Sequence, residues 1–188
     1  AKRRGIIVTN TPAGEVSESV AEHTLMLMLA LAHRLVESDT FARAKKYKGW
    51  SPTLLMGTDL QGKTLVIVGT GRIGKSVARR AVLGLGMKCL YTDRQRQMDI
   101  EKDLGAEAAS LEQLLQRADV VSLHVPLLPT TRHLISVAEL ALMKKTAFLI
   151  NTARGPVVDE KALLRALKTK RIAGVALDVF ECEPEIDC

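Results

Sequence analysis

Aromatic residues are scarce in this sequence, and their scarcity argues against nucleic-acid binding. The 188 residues include one Trp, two Tyr and three Phe, so few rings are available to stack on bases. The formal net charge is +6, but the basic residues are scattered among acidic ones rather than gathered in one stripe. An ordinary solvated surface accounts for this charge, and we expect no nucleic-acid partner.

Cysteines are few, and long apolar runs are absent. Cys89, Cys182 and Cys188 lack the paired spacing of a metal site or a disulfide framework, so we expect no metal and a cytoplasmic location. The longest apolar run, Thr24–Ala32, is too short to span a bilayer and is flanked by histidines and charged residues. No signal-peptide pattern is present at the N-terminus. We therefore expect no membrane partner.

The segment Thr64–Asp93 organises the rest of the chain. An apolar, β-branched run at Leu65–Val68 predicts a buried strand, and Gly69–Gly74 follows it directly as G-x-G-x-x-G. A segment of helical period comes next, and a second strand at Met87–Tyr91 leads to Asp93. A lone glycine motif is weak evidence. Strand, loop, helix, strand and acid in this order make it specific for dinucleotide binding.

Each glycine of this loop has a separate physical role. Gly69 allows a tight turn out of the strand, and Gly71 lets a pyrophosphate approach the backbone without a Cβ in the way. Gly74 lets the helix pack close to the strand. The helix N-terminus then offers unpaired N–H groups and a partial positive charge to the phosphates.

Asp93 predicts the choice of cofactor. A carboxylate at this position can accept both ribose hydroxyls of an adenosine, and it repels a 2′-phosphate, which favours NAD over NADP. Arg94 and Arg96 follow immediately and could stabilise that phosphate instead.

Beyond this segment, strand and helix patterns alternate. Further strands are predicted near residues 106–109, 120–123, 147–150 and 174–178, with helices at 111–117, 136–142 and 160–167. Six strands separated by helices predict an α/β fold with a doubly wound parallel sheet, in which ligands bind at the carboxyl ends of the strands.

Residues 1–60 are predicted to form a lead-in to a core of residues 61–188. The lead-in contains a short strand at Ile6–Val8, a helix at Val20–Leu35 opened by a capping box at Ser19, and a polar arm at Glu37–Gly57. The helix is apolar nearly all round, so we expect it to be buried in the interface of a homodimer. The chain does not begin with Met and stops after the last strand, so we expect a fragment of a longer two-domain enzyme.

Two charged residues follow the last two strands. Arg154 can hold a substrate carboxylate in a bidentate fork, and Glu183 can raise the pKa of a histidine that acts as an acid. On spacing alone, a surface salt bridge remains the simpler interpretation of both.

Six short motifs occur together and in order, and they carry a family resemblance. The motifs are Asn10–Pro12, Val20–Glu22, Gly69–Gly74, His124–Leu127, Asn151–Gly155 and Asp178–Pro184. With them the chain resembles the D-isomer-specific 2-hydroxyacid dehydrogenases, and among these the glyoxylate/hydroxypyruvate reductases and D-3-phosphoglycerate dehydrogenases. The resemblance implies the Rossmann domain of an enzyme that transfers a hydride between NAD(H) and a small D-2-hydroxy or 2-oxo acid.

The resemblance also implies roles for individual residues. Arg154 would bind the substrate, and Glu183 would support a catalytic histidine that lies beyond this chain in the family pattern. Asp178 would receive the nicotinamide carboxamide, and backbone around Arg72 and Ile73 would hold the pyrophosphate. The expected cofactor-binding residues are Gly69, Gly71, Arg72, Ile73, Gly74, Asp93, His124, Pro126, Thr152, Ala153 and Asp178.

Two alternatives accompany this interpretation. His124 is a possible substitute for the missing acid, although the family pattern places its segment along the cofactor. His23, His33 and His133 are expected to be structural or solvated. A protein of another class, the C-terminal-binding corepressors, shares the scaffold and uses the dinucleotide to control assembly. The arm around Trp50 favours the metabolic branch.

Overall fold

Six parallel strands form one sheet with helices on both faces, in a computed structural model that describes residues 2–9 and 14–185. The motif at Asn10–Pro12 and the residue Cys188 lie outside the described residues. The strands are β1 Thr64–Val68, β2 Lys88–Thr92, β3 Glu107–Ala108, β4 Val120–Leu123, β5 Phe148–Asn151 and β6 Gly174–Leu177. The α-helices are α1 Gly14–Ala32, α2 Leu35–Arg43, α3 Arg72–Leu85, α4 Met98–Leu104, α5 Leu111–Arg117, α6 Val137–Leu142 and α7 Glu160–Lys168.

The strand order places a ligand crevice beside β1. The order is β3-β2-β1-β4-β5-β6, and every pairing is parallel. Because β1 pairs with β2 on one side and β4 on the other, the order reverses there, and a crevice opens beyond the carboxyl ends of the strands. The predicted α/β, doubly wound Rossmann fold is confirmed.

Alternate residues of the central strands supply two aliphatic cores. Val66 of β1 faces one core, formed with α5, α6 and α7, while Ile67 faces the other, formed with α1 and α3. Both side chains are inaccessible to solvent. This burial on both faces explains why the strands are continuous apolar runs rather than alternating ones.

Helix α1 is a structural layer of the sheet, and its predicted bounds were wrong. It packs on α3, β5 and β6, begins at Gly14 rather than Val20, and ends at Ala32. The proposed capping residue Ser19 lies inside the helix, where its hydroxyl donates to the carbonyl of Glu15 at 3.2 Å. Within the single chain one stripe of α1 is buried, and it consists of Ser17, Ala21, Thr24, Met28 and Ala32.

Three other expectations about local structure were wrong. Ile6–Val8 forms no strand, because these residues are exposed and pair with no edge of the sheet. Most of α2 lies in the polar arm at Glu37–Gly57, where no helix was predicted, because α2 has no buried residue and therefore no apolar period to reveal it. Helix α4 was not predicted. Ile100 is its one buried residue, so the sequence of α4 also has no apolar period that would predict a helix.

One cysteine lies in the core of the sheet. Cys89 is a buried free thiol, and burial raises its pKa to about 12. Within residues 2–9 and 14–185, no helix is long and apolar enough to cross a membrane.

Candidate functional site

The glycine loop joins β1 to α3 at the predicted place, and its three glycines meet different surroundings. Gly69 has φ +92°, and a Cβ there would lie 2.9 Å from backbone of His124. A Cβ on Gly74 would lie 2.2 Å from the carbonyl oxygen of Gly69. A Cβ on Gly71 would meet no protein atom within 4 Å. Close packing therefore requires Gly69 and Gly74, whereas Gly71 faces open space at the start of α3.

Asp93 is bound to this loop. Its Oδ2 accepts hydrogen bonds from the Thr70 N–H and hydroxyl, both at 2.7 Å, and its Oδ1 accepts from the Arg94 N–H at 2.6 Å. Burial raises the pKa of this carboxyl, but the hydrogen bonds from Thr70 and the backbone lower it by more, so the pKa lies below its ordinary value. Asp93 is thus an ionised group held at the rim of the crevice.

A cleft of about 610 Å³ opens between the glycine loop and the segment after β4. One end is polar, with loop backbone, Asp93 and Arg94, and the other is mostly apolar. This shape suits a ligand with a charged linker and a flat, weakly polar group. The lining residues are Val68, Gly69, Thr70, Gly71, Thr92, Asp93, Arg94, Gln97, Leu111, His124, Val125, Pro126, Leu128, Thr130, Thr131 and Leu134.

His124 lines this cleft as a neutral imidazole. Its Nε2 lies 2.8 Å from the hydroxyl of Ser122, which is fully buried. Burial lowers the pKa of His124 to about 4. An imidazole with that pKa lacks the acidic proton of an imidazolium near neutral pH, which argues against His124 as the acid.

The loop that carries Arg154 is clamped by the side chain of Asn151. The Oδ1 atom of Asn151 accepts from the Ala153 N–H, and its Nδ2 donates to the Arg154 carbonyl, both at 3.0 Å. Asn151 is 1% exposed, whereas Arg154 is exposed. A Cβ on Gly155 would lie 1.8 Å from the Phe180 carbonyl oxygen, so the loops after β5 and β6 are in direct contact.

Helix α1 contacts both of these loops. The Thr152 hydroxyl lies 2.9 Å from that of Thr24, which in turn donates to the Val20 carbonyl at 2.8 Å. His23 Nε2 lies 3.1 Å from Asp178 Oδ1. Neither contact was predicted, because the partners are far apart in sequence. The only indication in the sequence that these regions act together was the joint occurrence of the motifs Val20–Glu22, Asn151–Gly155 and Asp178–Pro184.

The segment after β6 places its two glutamates differently. Glu183 is exposed, and its Oε1 accepts the Phe180 N–H at 2.6 Å. Glu181, which sequence reasoning missed, accepts from His133 at 2.6 Å and from Arg132 at 3.2 Å. Glu181 thus anchors the segment that carries Glu183.

The expected residues form two neighbouring groups along the carboxyl edge of the sheet. Gly69, Gly71, Asp93, His124 and Pro126 line the cleft. Arg72, Ile73 and Gly74 form the first turn of α3 beside it. The second group follows β5 and β6 and consists of Thr152, Ala153, Arg154, Asp178 and Glu183. In the described part of the chain, no three His, Cys, Asp or Glu side chains converge as a metal site would require.

Known proteins share both the sequence and the fold. The family model described as D-isomer specific 2-hydroxyacid dehydrogenase, NAD binding domain, matches residues 25–187. A glyoxylate reductase of Korarchaeum cryptofilum is 53% identical over 185 residues, which cover 98% of this chain and 55% of that protein. The chain spans about half the length of the curated relatives it matches.

Two solved structures superpose closely on this fold. A glyoxylate reductase from Paecilomyes thermophila has a TM-score of 0.88 and 39% identity, and the match covers 100% of this chain and 55% of that one. A D-lactate dehydrogenase from Aquifex aeolicus, complexed with NAD and lactic acid, has a TM-score of 0.87 and 42% identity, with coverages of 96% and 53%. The chain therefore belongs to the D-isomer specific 2-hydroxyacid dehydrogenase family and comprises its NAD-binding domain.

Proposed function

We propose that this chain is the cofactor-binding part of an enzyme that interconverts a small D-2-hydroxy acid and its 2-oxo acid with NAD(H). The observation that carries the proposal is the arrangement of the carboxyl edge, where the dinucleotide cleft and the loop bearing Arg154 lie side by side. The related glyoxylate reductases and D-lactate dehydrogenase catalyse reactions of this class by name. They do not favour the corepressor alternative.

The residues of the cleft fit a dinucleotide. Gly71 leaves the backbone at the start of α3 open, as the approach of a pyrophosphate requires. We propose that N–H groups near Arg72 and Ile73 hold the pyrophosphate and that Asp93 accepts the adenosine ribose hydroxyls. His124 and Pro126 then flank the cofactor from the β4 side.

The nicotinamide end of the cofactor is expected to lie beside the second group, the residues that follow β5 and β6. We assign Thr152, Ala153 and Asp178 to this end of the cofactor. The hydroxyl of Thr152 is engaged by Thr24, so its contact to the cofactor would come from the backbone. Asp178 keeps one carboxylate oxygen beyond the one that His23 contacts.

Arg154 and Glu183 are the proposed catalytic residues. Arg154 is exposed on a rigid loop, and its guanidinium can bind the substrate carboxylate through two parallel hydrogen bonds. Glu183 would stabilise the protonated form of a histidine from outside these residues, because His124 is neutral and His133 is bound to Glu181. When bound, the nicotinamide cofactor supplies or accepts the hydride at C2 of the acid.

Steady-state kinetics of the full-length protein test this proposal. NADH oxidation is followed with a series of 2-oxo acids, for the wild type and for Arg154→Gln. We expect the variant to raise the KM for the oxo acid and to lower kcat, because the same guanidinium binds the carboxylate and orients the reacting carbonyl. Arg165→Gln, which removes an exposed charge on α7, is the matched control. Unchanged kinetics in Arg154→Gln would contradict the assignment.

We also propose a homodimer formed through α1. Beside its buried stripe, α1 carries the partly buried Leu25 and Leu29 and the exposed Met26, and shallow apolar hollows of about 470 and 610 Å³ lie along these residues. Met26 is 50% exposed, and neighbouring Leu83 on α3 is 66% exposed. A second subunit would remove this apolar surface from water.

A cytoplasmic location remains part of the proposal, and so does the division into residues 1–60 and 61–188, although α1 packs as a layer of the core.

A further inference from the structure

The loop between β2 and α4 contains two arginines that the structure places differently. Arg94 and Gln97 line the cleft, so the backbone of this loop runs along the rim where the adenosine ribose is expected. Arg96 lies between them in sequence but is not among the lining residues. Its guanidinium is instead bound by Glu101, on α4.

The pairing of Arg96 with Glu101 is bidentate. Arg96 Nε lies 2.9 Å from Oε1 of Glu101, and Arg96 Nη2 lies 2.8 Å from Oε2. Such a fork engages both carboxylate oxygens and fixes the plane of the guanidinium. The Glu101 side chain is 13% exposed and that of Arg96 is 70% exposed, so the carboxylate is the fixed partner.

Buried groups hold Glu101 in place. The Tyr91 hydroxyl donates to Oε1 of Glu101 at 2.6 Å, and the same hydroxyl accepts the Gln97 N–H at 2.7 Å. Tyr91 belongs to β2 and is 1% exposed. Hydrogen bonds from Arg96 and then Tyr91 lower the pKa of Glu101, so this carboxylate is ionised throughout the neutral range. The fork is therefore built on the sheet itself.

This arrangement determines which charges a ribose meets. Asp93 is ionised and projects at the rim, whereas the charge of Arg96 is neutralised by Glu101. A 2′-phosphate carries nearly two negative charges and needs cationic partners to offset its repulsion by Asp93. Arg94 alone is available for that purpose among the arginines of this loop.

We propose that Glu101 is a specificity-determining residue that favours NAD(H) over NADP(H) by binding Arg96 away from the cleft. The inference rests on the proposed cofactor site. Glu101 touches no part of the cofactor in this scheme and acts through the position of Arg96. Removing Glu101 frees a guanidinium that lies two residues beyond Arg94, on the loop whose Arg94 and Gln97 line the cleft.

Equilibrium binding to the full-length protein tests the proposal without catalysis. The dissociation constants of NADH and NADPH are measured from the fluorescence of the reduced nicotinamide. We expect Glu101→Ala to tighten NADPH binding by about threefold to tenfold, with the NADH constant unchanged within about twofold. Glu101→Gln keeps the side-chain volume and should shift the NADPH constant in the same direction by a smaller factor, even where the alanine variant folds poorly.

Two controls separate this mechanism from a general change of charge. Arg96→Gln in the Glu101→Ala background should abolish the gain, because the freed guanidinium is the agent. Asp103→Asn removes one negative charge from the same helix, where Asp103 pairs with Arg79 at 3.3 Å, and it should leave the ratio of the two constants unchanged.

The outcomes are distinguishable. A gain that survives Arg96→Gln, an equal gain in Asp103→Asn, or no gain in either Glu101 variant overturns the proposal. A wild-type protein that binds neither dinucleotide overturns the cofactor site itself, and the inference with it.

Discussion

At Gly74 a single added methyl group is expected to disrupt the packing of α3 on β1. A Cβ there would overlap the Gly69 carbonyl oxygen at 2.2 Å, and because this atom belongs to the backbone it cannot rotate away as a side chain could. We expect Gly74→Ala to lower the free energy of unfolding by roughly 1–3 kcal/mol or more. Gly84→Ala is the matched control, because Gly84 lies in the same helix with no atom within 4 Å. It should stabilise the chain by about 0.5–1 kcal/mol. Denaturant unfolding measures both, and equal effects would contradict the packing argument.

Gly71 should respond in the opposite way. Its backbone angles, φ −67° and ψ −170°, suit alanine, and a Cβ would meet open space. We therefore expect Gly71→Ala to leave the free energy of unfolding nearly unchanged and to weaken NADH binding by roughly tenfold or more, about 1.4 kcal/mol. Calorimetric titration with NADH checks this. Full affinity in a folded variant would mean that the pyrophosphate does not approach here.

His124 predicts a pH dependence of stability with a definite sign. Its pKa falls from 6.5 to about 4 on folding because it is buried. The unfolded chain therefore binds a proton between these values that the native chain does not, so stability falls as the pH drops from 6.5 to 4. The full shift corresponds to about 3.4 kcal/mol, which is the upper limit of this contribution.

Replacing this side chain isolates the effect. His124→Gln should lose less stability than the wild type between pH 6.5 and 4, because glutamine does not titrate. Urea unfolding of both proteins across this range gives the difference. Identical pH profiles would show that His124 titrates normally in the native state.

At the scale of elements, α1 lies between two parts of the molecule. Its inner side contacts the loops after β5 and β6, and its outer side presents the exposed Met26. Its inner side contacts Thr152 through Thr24 and Asp178 through His23, while Met26 points away from the sheet and is half exposed. A subunit that packs on the outer face would thus rest on the same helix that supports the loops after β5 and β6.

Met26→Glu should weaken the proposed dimer. A carboxylate placed in an apolar interface loses its hydration without gaining a partner, and we expect dissociation to monomers at micromolar concentration. Val137→Glu, on the exposed side of α6 at 57% exposure, introduces the same charge elsewhere and should leave the mass unchanged. Light scattering reports the mass of each protein. A wild-type monomer would rule out this interface.

For the whole molecule, cofactor binding and turnover are predicted to separate. The dinucleotide cleft lies within the described residues, but none of their histidines is placed beside Glu183 as an acid. We expect the 188-residue chain to bind NADH and to show essentially no dehydrogenase activity. Turnover comparable to that of a complete enzyme would contradict this, and His124 would be the first residue to replace.

In the complete enzyme, Glu183→Gln should mainly shift the pH dependence. Without its carboxylate, the pKa of the supported histidine falls, so in 2-oxo acid reduction, where this histidine must be protonated, the alkaline limb of the kcat profile should move to lower pH. A pH–rate profile of the wild type and the variant measures the shift. Glu181→Gln is the informative comparison, because Glu181 binds His133 and anchors the same segment.

The sequence by itself determined the order and type of most elements of this protein. Strands β1, β4 and β5 were predicted within one or two residues because each is a local apolar run buried on both faces. The glycine loop and helix α5 were equally readable, since each depends on residues within a few positions of one another. Helices α2 and α4 escaped prediction because they bury little and so impose no apolar period on the sequence.

Only the tertiary structure decided which side chains meet. Thr24 and Thr152 are 128 residues apart and His23 and Asp178 are 155 apart, and no local pattern encodes such pairs. The sheet brings them together because parallel strands end at one edge and α1 crosses two of them. The same long-range packing binds Glu181, rather than Glu183, to a histidine of this chain. Side-chain pairing across the fold depends on three-dimensional distance, which the order of residues alone does not specify.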